Sequence, residues 1–160
     1  MNNILAIDPG KSTGWASCVN GVVESGVVKF TVERGEGRGM LFLKFNSWLH
    51  KMLDLIEPQL VVYEMAHMRG GSATEVLVGM TTRIMEQCER HFIEQYTKVH
   101  SATLKKFATG SGRASKEEMI AGAVIRFGKP VLGDDEADAL WMMEYARTQY
   151  SVGNELDENY

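Results

Sequence analysis

The first third of the chain alternates short apolar runs with turn signals. Residues 3–8 contain an unbroken apolar run that ends in a carboxylate before Pro9-Gly10, a pattern typical of a strand buried on both faces. Residues 13–19 predict a second strand, and the hairpin signal Asn20-Gly21 leads into a third over 22–31. The chain is therefore predicted to begin with an antiparallel meander.

Helical and strand periodicities alternate through the rest of the chain. After the glycine-rich residues 34–39, apolar residues recur at helical spacing from Phe42 to Ile56 and stop at Pro58. Residues 60–64 repeat the first pattern, an apolar strand ending in a carboxylate. The remaining predicted elements are a helix over 72–92, a strand over 96–100, a helix over 101–108, a helix from the capping box of Ser115 and Glu118 to Phe127, and a last helix from Asp134 or Asp135 to about Tyr150.

This order of elements predicts an α/β fold with a mixed five-stranded sheet flanked by helices. The first and fourth strands are expected to be parallel neighbours. Because the carboxyl ends of parallel strands share one edge of the sheet, Asp8 and Glu64 should meet there. With 160 residues, 44% of them hydrophobic, we expect a single domain over residues 1–150 and an acidic, flexible tail over 151–160.

The distribution of charge changes the picture that the net charge suggests. A formal net charge of −4 argues against a nucleic-acid partner, because phosphate binding favours a basic surface. Residues 95–116, however, contain no Asp or Glu. They hold His100 and five cations: Lys98, Lys105, Lys106, Arg113 and Lys116. This stretch is a predicted local basic patch.

Several other kinds of protein are disfavoured by the sequence. No apolar stretch approaches the roughly 20 residues that span a bilayer, and the amino terminus lacks a basic segment followed by an apolar one, so we expect a cytoplasmic protein without membrane contact. Cys18 and Cys88 are far apart and outside any CxxC motif, which indicates buried thiols rather than a disulfide or a zinc site. The histidines show no metal-binding spacing: His50, His67, His91 and His100.

Four acidic residues are candidate metal ligands. Asp135 and Asp138 are three residues apart at the start of the last helix, so they share a face that can approach Asp8 and Glu64. Carboxylate oxygens suit Mg²⁺ or Mn²⁺, and acids gathered in one cleft would repel one another without a cation. Two ions about 4 Å apart would promote in-line attack of water on a phosphodiester.

Each acid also has an ordinary structural interpretation. An aspartate before Pro-Gly is commonly a turn former, Glu64 can be a satisfied charge at a strand end, and Asp134 or Asp135 can cap the last helix. Two apolar strands that both end in acids, combined with a paired acidic motif, favour a joint site. Asp134 and Asp138 are also one helical turn apart, so the residues alone leave open whether Asp134 or Asp135 joins the site.

Four ordered blocks of the sequence resemble the RuvC family of Holliday junction resolvases. They are Ile7-Asp8-Pro9-Gly10 with Thr13-Gly14-Trp15, Val61-Val62-Tyr63-Glu64, Leu104-Lys105-Lys106 through Gly110-Ser111-Gly112 to Lys116, and Asp135-Glu136-Ala137-Asp138-Ala139-Leu140. The resemblance implies an RNase H-like fold and a homodimer that presents two active sites to a four-way DNA junction. It also implies hydrolysis that depends on Mg²⁺, with Mn²⁺ able to substitute, and that leaves a 5′-phosphate.

The resemblance also assigns roles to individual residues. The family's metal-binding and catalytic acids correspond to Asp8, Glu64, Asp135 and Asp138. Its D-x-x-D spacing selects Asp135 for the metal site and leaves Asp134 as the expected cap of the last helix. Its basic catalytic residues near the scissile phosphate correspond to Lys105 and Lys116, which would neutralise backbone charge. The residues expected to contact DNA are His67, Arg69, Lys105, Lys106, Arg113 and Lys116.

The chain departs from the cellular enzymes of this family in two respects. Where they carry an aromatic residue three positions after the strand-end glutamate, this chain has His67, which stacks on bases less strongly. The acidity and compact length are similar to those of phage-encoded relatives, which cut a broader range of branched DNA. A phage-type protein would act in the cytoplasm of its bacterial host.

Three other functions compete with junction cleavage. The segment from Asp8 to Gly14 is similar to the phosphate-binding hairpin of actin-like and sugar-kinase-like phosphotransferases. Such enzymes enclose a nucleotide between two domains, whereas this sequence is long enough for only one. A catalytically silent junction-binding protein would not need four converging acids, which oppose the approach of phosphate. A ribonuclease H acting on RNA–DNA hybrids remains an alternative with the same chemistry.

Overall fold

The structure, a computed structural model, describes residues 3–150. Within these residues the strands are β1 (Ile4–Asp8), β2 (Ser12–Val19), β3 (Val22–Lys29), β4 (Leu60–Glu64) and β5 (Gln95–Val99). The helices are α1 (Gly39–Ile56), α2 (Gly71–Arg90), α3 (Ser101–Thr109), α4 (Lys116–Phe127) and α5 (Asp134–Tyr150). The strand boundaries lie within two residues of those predicted. The predicted acidic tail, 151–160, lies outside the described residues.

The five strands form one mixed sheet in the order β3-β2-β1-β4-β5. The first three strands pair as the predicted antiparallel meander, and Asn20 and Gly21 turn the chain with φ angles of 50° and 83°. β1 lies parallel to β4, with Ile7 opposite Tyr63. Both predictions, the meander and the parallel pair, are confirmed, and the ends of β1 and β4 lie side by side.

Helices cover both faces of the sheet. On one face, α1 and α2 pack against residues of the central strands such as Leu5 and Ile7. On the other face, α3, α4 and α5 enclose a second core that includes Ala6 and Val62. Because β1 is buried along its whole length, its apolar run has a hydrophobic environment on either side.

The helix ends agree with the predicted signals except at α5. Ser115 and Glu118 form both hydrogen bonds of a capping box at the start of α4. Asp134 was expected to cap α5, and this prediction is wrong. Asp134 is the first helical residue, and the carbonyl of the preceding Gly133 accepts the hydrogen bond from the Ala137 N–H at 3.1 Å, so Gly133 holds the cap position.

Gly14 allows α5 to begin directly on the sheet. A Cβ atom at this position of β2 would lie 1.9 Å from the carbonyl oxygen of Asp135, far inside van der Waals contact. The absence of a side chain thus sets how closely the acidic start of α5 approaches the strand ends.

Two further expectations concern the chain as a whole. Cys18 and Cys88 are buried free thiols in opposite cores, as predicted. None of the helices over residues 3–150 combines the length and apolar character that crossing a membrane requires.

Candidate active site

Three carboxylates from separate parts of the chain converge at the edge of the sheet. Asp8 ends β1, Glu64 ends the parallel strand β4, and Asp138 projects from the second turn of α5. One oxygen from each lies within 4.8 Å of an oxygen of the other two. The fold thus brings together three of the four predicted ligands at the spacing that a shared metal ion needs.

The fourth predicted ligand, Asp135, lies in the wall of the same cavity but outside this group of three. Its charge still acts on the group, because it contributes to the raised pKa of both Asp8 and Asp138. Asp134 also lines the cavity, where its carboxylate forms an ion pair with Lys116 at 3.1 Å. The two aspartates therefore differ in partner, and Asp135 is the one without a basic partner among the ion pairs of residues 3–150.

The electrostatics of the cluster are dominated by burial and by like charges. Burial raises the pKa of Asp8 well above its usual range, and the neighbouring Glu64 and Asp138 raise it further. Burial likewise raises the pKa of Asp138 to about 7, with contributions from Glu64 and the other α5 aspartates, while Lys105 opposes the shift. The site thus holds more negative charge than the surrounding protein neutralises.

A buried glutamate that we did not single out anchors the start of α5. The Glu136 carboxylate accepts hydrogen bonds from Ser25 Oγ at 2.7 Å and from the Leu132 N–H at 2.6 Å, and it pairs with Lys129 at 3.3 Å. Burial would raise the pKa of Glu136, but these donors lower it below its ordinary value. In the sequence, Glu136 cannot be distinguished from the proposed ligands on either side of it. Only its contacts with β3 and the loop before α5 define its role.

The carboxylates line a cavity of about 670 Å³ that also holds basic side chains. Of the residues predicted to contact DNA, four line this cavity: His67, Arg69, Lys105 and Lys116. Lys106 and Arg113 are exposed and do not line it. Lys11 lines it as well and was not predicted. Its position just after the end of β1 is the signal that would have found it.

His67 contacts the cluster directly. Its Nε2 lies 3.0 Å from Glu64 Oε1, and the imidazole is partly exposed to the cavity. The side chain predicted to stack on bases is thus also placed to orient a carboxylate of the site. The sequence spacing of three residues indicated proximity to Glu64 but not this contact.

The donor set fits a hard divalent cation. Carboxylate oxygens are the ligands that Mg²⁺ and Mn²⁺ prefer, and burial together with neighbouring acids raises the pKa of both Asp8 and Asp138. Asp8, Glu64 and Asp138 would hold the ion, with Asp135 beside them. Hydrolysis by metal-bound water would need no serine, cysteine or histidine nucleophile at this site.

Comparison with known proteins places these features in context. No protein-family profile matches the chain. A curated relative, the crossover junction endodeoxyribonuclease RuvC of Rickettsia conorii, is 27% identical over 146 residues, which covers 86% of this chain and 91% of the relative.

Solved structures show the same architecture. The Thermus thermophilus RuvC structure aligns over 91% of this chain and 96% of its own, with a TM-score of 0.72 and 18% identity. T. thermophilus RuvC in complex with a Holliday junction substrate aligns over 92% and 96%, with a TM-score of 0.76 and 18% identity. The yeast mitochondrial Holliday junction resolvase Ydc2 aligns over 94% and 82%, with a TM-score of 0.56 and 12% identity. The chain is thus similar in sequence to a curated RuvC protein, and it shares the fold of the solved RuvC structures, which agrees with the predicted α/β architecture.

Proposed function

We propose that this protein is a metal-dependent endonuclease that resolves four-way DNA junctions by hydrolysis of phosphodiester bonds. The observation that carries the proposal is the convergence of Asp8, Glu64 and Asp138 within 4.8 Å at the edge of a RuvC-like fold. The relative from R. conorii is named a crossover junction endodeoxyribonuclease, and the T. thermophilus protein binds a Holliday junction.

The acids would act as ligands of Mg²⁺, with Mn²⁺ able to replace it. Bound divalent ions supply a water activated for in-line attack and stabilise the oxygen that leaves. Asp8, Glu64 and Asp138 form the inner set, and Asp135 adds negative charge beside them. The raised pKa values of Asp8 and Asp138 support this role, because a cation would relieve the repulsion that raises them.

Basic residues around the cavity would bind the DNA backbone. Lys105 is placed to offset charge near Asp138, since it lowers that group's pKa, and a phosphate entering the cavity would meet the same positive charge. Lys116 is held by Asp134, so it would contact phosphate from a fixed position. His67 and Arg69 line the part of the cavity after β4, where unpaired bases at a junction centre would enter. Lys106 and Arg113 would contribute at the surface outside the cavity.

A homodimer would allow the protein to cut both opposed strands of a four-way junction. Each chain contributes one acidic cluster, and a four-way junction has two opposed strands to cut. Two copies related by a two-fold axis would therefore match the symmetry of the substrate. If the acidity and compact length mark a phage-type protein, it would cut a broader range of branched DNA in the cytoplasm of a bacterial host.

The proposal is tested by incubating the protein with a labelled four-way junction, a linear duplex and an RNA–DNA hybrid, each with Mg²⁺, Mn²⁺ or chelator. Paired nicks in the junction that require a metal and vanish in Asp8→Asn are expected. Glu24→Gln, which removes an exposed carboxylate on β3 outside the cavity, is the matched control and should cut normally. Degradation of the hybrid alone would make the protein a ribonuclease H, and binding of the junction without cleavage under any ion would make it a silent junction-binding protein.

A further inference from the structure

A second group of possible metal ligands lies far from the acidic cluster. His50 and Asp54 belong to α1, and His91 follows the last residue of α2. The Nε2 atoms of the two histidines each lie 3.2 Å from Asp54, but they reach different oxygens of that carboxylate. The two imidazole rings are 4.8 Å apart between centroids. Two histidines and one carboxylate thus face a common point.

Helix geometry explains how these residues come together. His50 and Asp54 are four residues apart, so they lie one above the other on the same face of α1. α1 and α2 pack on the same face of the sheet, and the end of α2 brings His91 beside that face of α1. Sequence spacing alone could not reveal the group, because His50 belongs to α1 and His91 follows α2.

The distances suit a transition-metal ion. One donor atom from each residue lies within 4.8 Å of the other two. In a tetrahedral zinc site with metal–ligand bonds of about 2.0 Å, the donor atoms lie about 3.3 Å apart. Each histidine lies 3.2 Å from one oxygen of Asp54, which is close to that edge length, although the two contacts reach different oxygens and a small rotation of the carboxylate would be needed to share one.

The second nitrogen of His91 is already held by the protein. Its Nδ1 lies 2.8 Å from the Gln87 carbonyl oxygen, which can only accept a hydrogen bond, so Nδ1 carries a proton. Nε2 faces the Asp54 carboxylate at 3.2 Å, so either a proton on Nε2 or a bound cation would lie between the two groups. Metal-binding histidines are commonly oriented in this way by a carbonyl partner.

The surroundings leave room for further ligands. The three residues line an open groove of about 590 Å³, together with Asn46 and others. Asn46 Oδ1 is buried and has no hydrogen-bond partner within residues 3–150, and Asn46 lies one turn before His50 on α1. An unsatisfied buried oxygen beside the group is an additional acceptor for a metal-bound water or for the ion itself.

We propose that His50, Asp54 and His91 form a binding site for one zinc-class ion that ties the end of α2 to α1. Imidazole nitrogen favours such ions over Mg²⁺, so the site differs in chemistry from the carboxylate cluster. It also differs in place, because Ser72 and Ala73 at the other end of α2 line the active-site cavity, and the 20 residues of α2 span about 30 Å. The proposal does not depend on the nuclease function.

The test measures Zn²⁺ and Co²⁺ binding by equilibrium dialysis in the presence of excess Mg²⁺. Mg²⁺ should compete for the carboxylate cluster and leave the imidazole site available. One Zn²⁺ per chain is expected, retained in Asp8→Asn and in His100→Ala, which removes an exposed histidine outside the group. His50→Ala and Asp54→Asn should each weaken binding at least about tenfold. Visible absorption of bound Co²⁺ should disappear in the same two variants.

A second measurement separates loss of the site from loss of the fold. Zn²⁺ should raise the thermal unfolding midpoint of the native chain but not that of His50→Ala, whose metal-free midpoint should match the native one because His50 is largely exposed. The proposal is overturned if the native chain binds no Zn²⁺ in excess Mg²⁺. It is also overturned if His50→Ala keeps full affinity, or if the ratio is one ion per two chains, which would indicate bridging between copies.

Discussion

Helix α5 carries two kinds of buried acid, and they differ in what surrounds them. Glu136 and Glu144 are almost fully buried and are paired with cations: Glu136 with Lys129, and Glu144 with Arg126 and Arg147. Asp138, on the same helix, faces Asp8 and Glu64 instead. The protein's own donors lower the pKa of Glu136, whereas burial and neighbouring acids raise that of Asp138 to about 7.

This difference separates a structural acid from a ligand. A buried carboxylate that has its own cation contributes to folding, and removing it leaves the partner unsatisfied. A buried carboxylate that faces other carboxylates destabilises the metal-free fold, so its presence is explained by what it binds. We therefore infer a structural role for Glu136 and a ligand role for Asp138.

The largest effect is expected for Asp138→Asn. The amide keeps the shape of the side chain but removes a ligand charge, so junction cleavage should fall by about 10³-fold or more. Thermal unfolding of the metal-free protein should move to higher temperature, because repulsion with Asp8 and Glu64 is relieved. Cleavage assays and calorimetry in chelator check both parts. A variant that cuts junctions at the native rate would place the chemistry elsewhere.

Gly14→Ala should displace the start of α5, which carries both kinds of acid. The new Cβ would lie 1.9 Å from the carbonyl oxygen of Asp135, so α5 must shift away from β2. We expect a loss of about 1–3 kcal/mol in the free energy of unfolding and a fall in cleavage of about 100-fold. Denaturant titration and junction cleavage measure these effects. Gly37→Ala is the control, since no described atom lies within 4 Å of its Cβ and both properties should stay unchanged.

Lys105→Met tests whether the charge of Lys105 contributes to cleavage at the acidic cluster. Lys105 lines the cavity and opposes the raised pKa of Asp138, so its loss should reduce cleavage by about 10- to 100-fold with little change in stability. The neighbouring Lys106 is exposed and outside the cavity, which makes Lys106→Met the matched control. Single-turnover cleavage rates compare the two. Equal effects of both substitutions would contradict a specific role for Lys105.

Glu136→Gln should affect stability more than chemistry. The substitution removes the charge that Lys129 and Ser25 contact, and we expect the free energy of unfolding to fall by about 1–3 kcal/mol. Within residues 3–150, Glu136 forms no hydrogen bond or ion pair with Asp8, Glu64 or Asp138. Cleavage should therefore fall less than about tenfold at a temperature where the variant is folded. Urea unfolding and cleavage at low temperature distinguish the effects. A stable but inactive variant would assign Glu136 to catalysis.

The raised pKa of Asp138 should make the stability of the metal-free protein depend on pH. In the folded metal-free protein the pKa of Asp138 is about 7, above its ordinary value of 3.8. Between those values the folded chain holds a proton that the unfolded chain has released, so the free energy of unfolding should decrease as pH rises from about 4 to about 7. Asp138→Asn should flatten this dependence, and saturating Mg²⁺ should oppose it. Urea titrations across this range in chelator would refute the assignment if the native protein and the variant had parallel profiles.

Much of the sheet and part of the site could be predicted because their signals are local. The apolar runs that end at Asp8 and Glu64 are visible in the sequence, and the rule that parallel strands share an edge joined them correctly. The prediction that Asp134 caps α5 was wrong, since a helix-start signal does not distinguish a capping residue from the first helical one. The spacing of the histidines along the chain gives no sign of a metal site, and only the tertiary structure brings His50 beside His91, which is the ground for the site proposed above.

By itself, the sequence determined where strands and helices form, which strands end in acids and which segment is basic, because hydrophobic periodicity, turn chemistry and charge are properties of neighbouring residues. The tertiary structure decided which acids are neutralised and which face one another. Glu136 and Asp138 are two residues apart, yet one meets Lys129 and the other meets Glu64. That outcome depends on how closely α5 approaches the sheet at Gly14, and such an approach is a property of packing between distant segments.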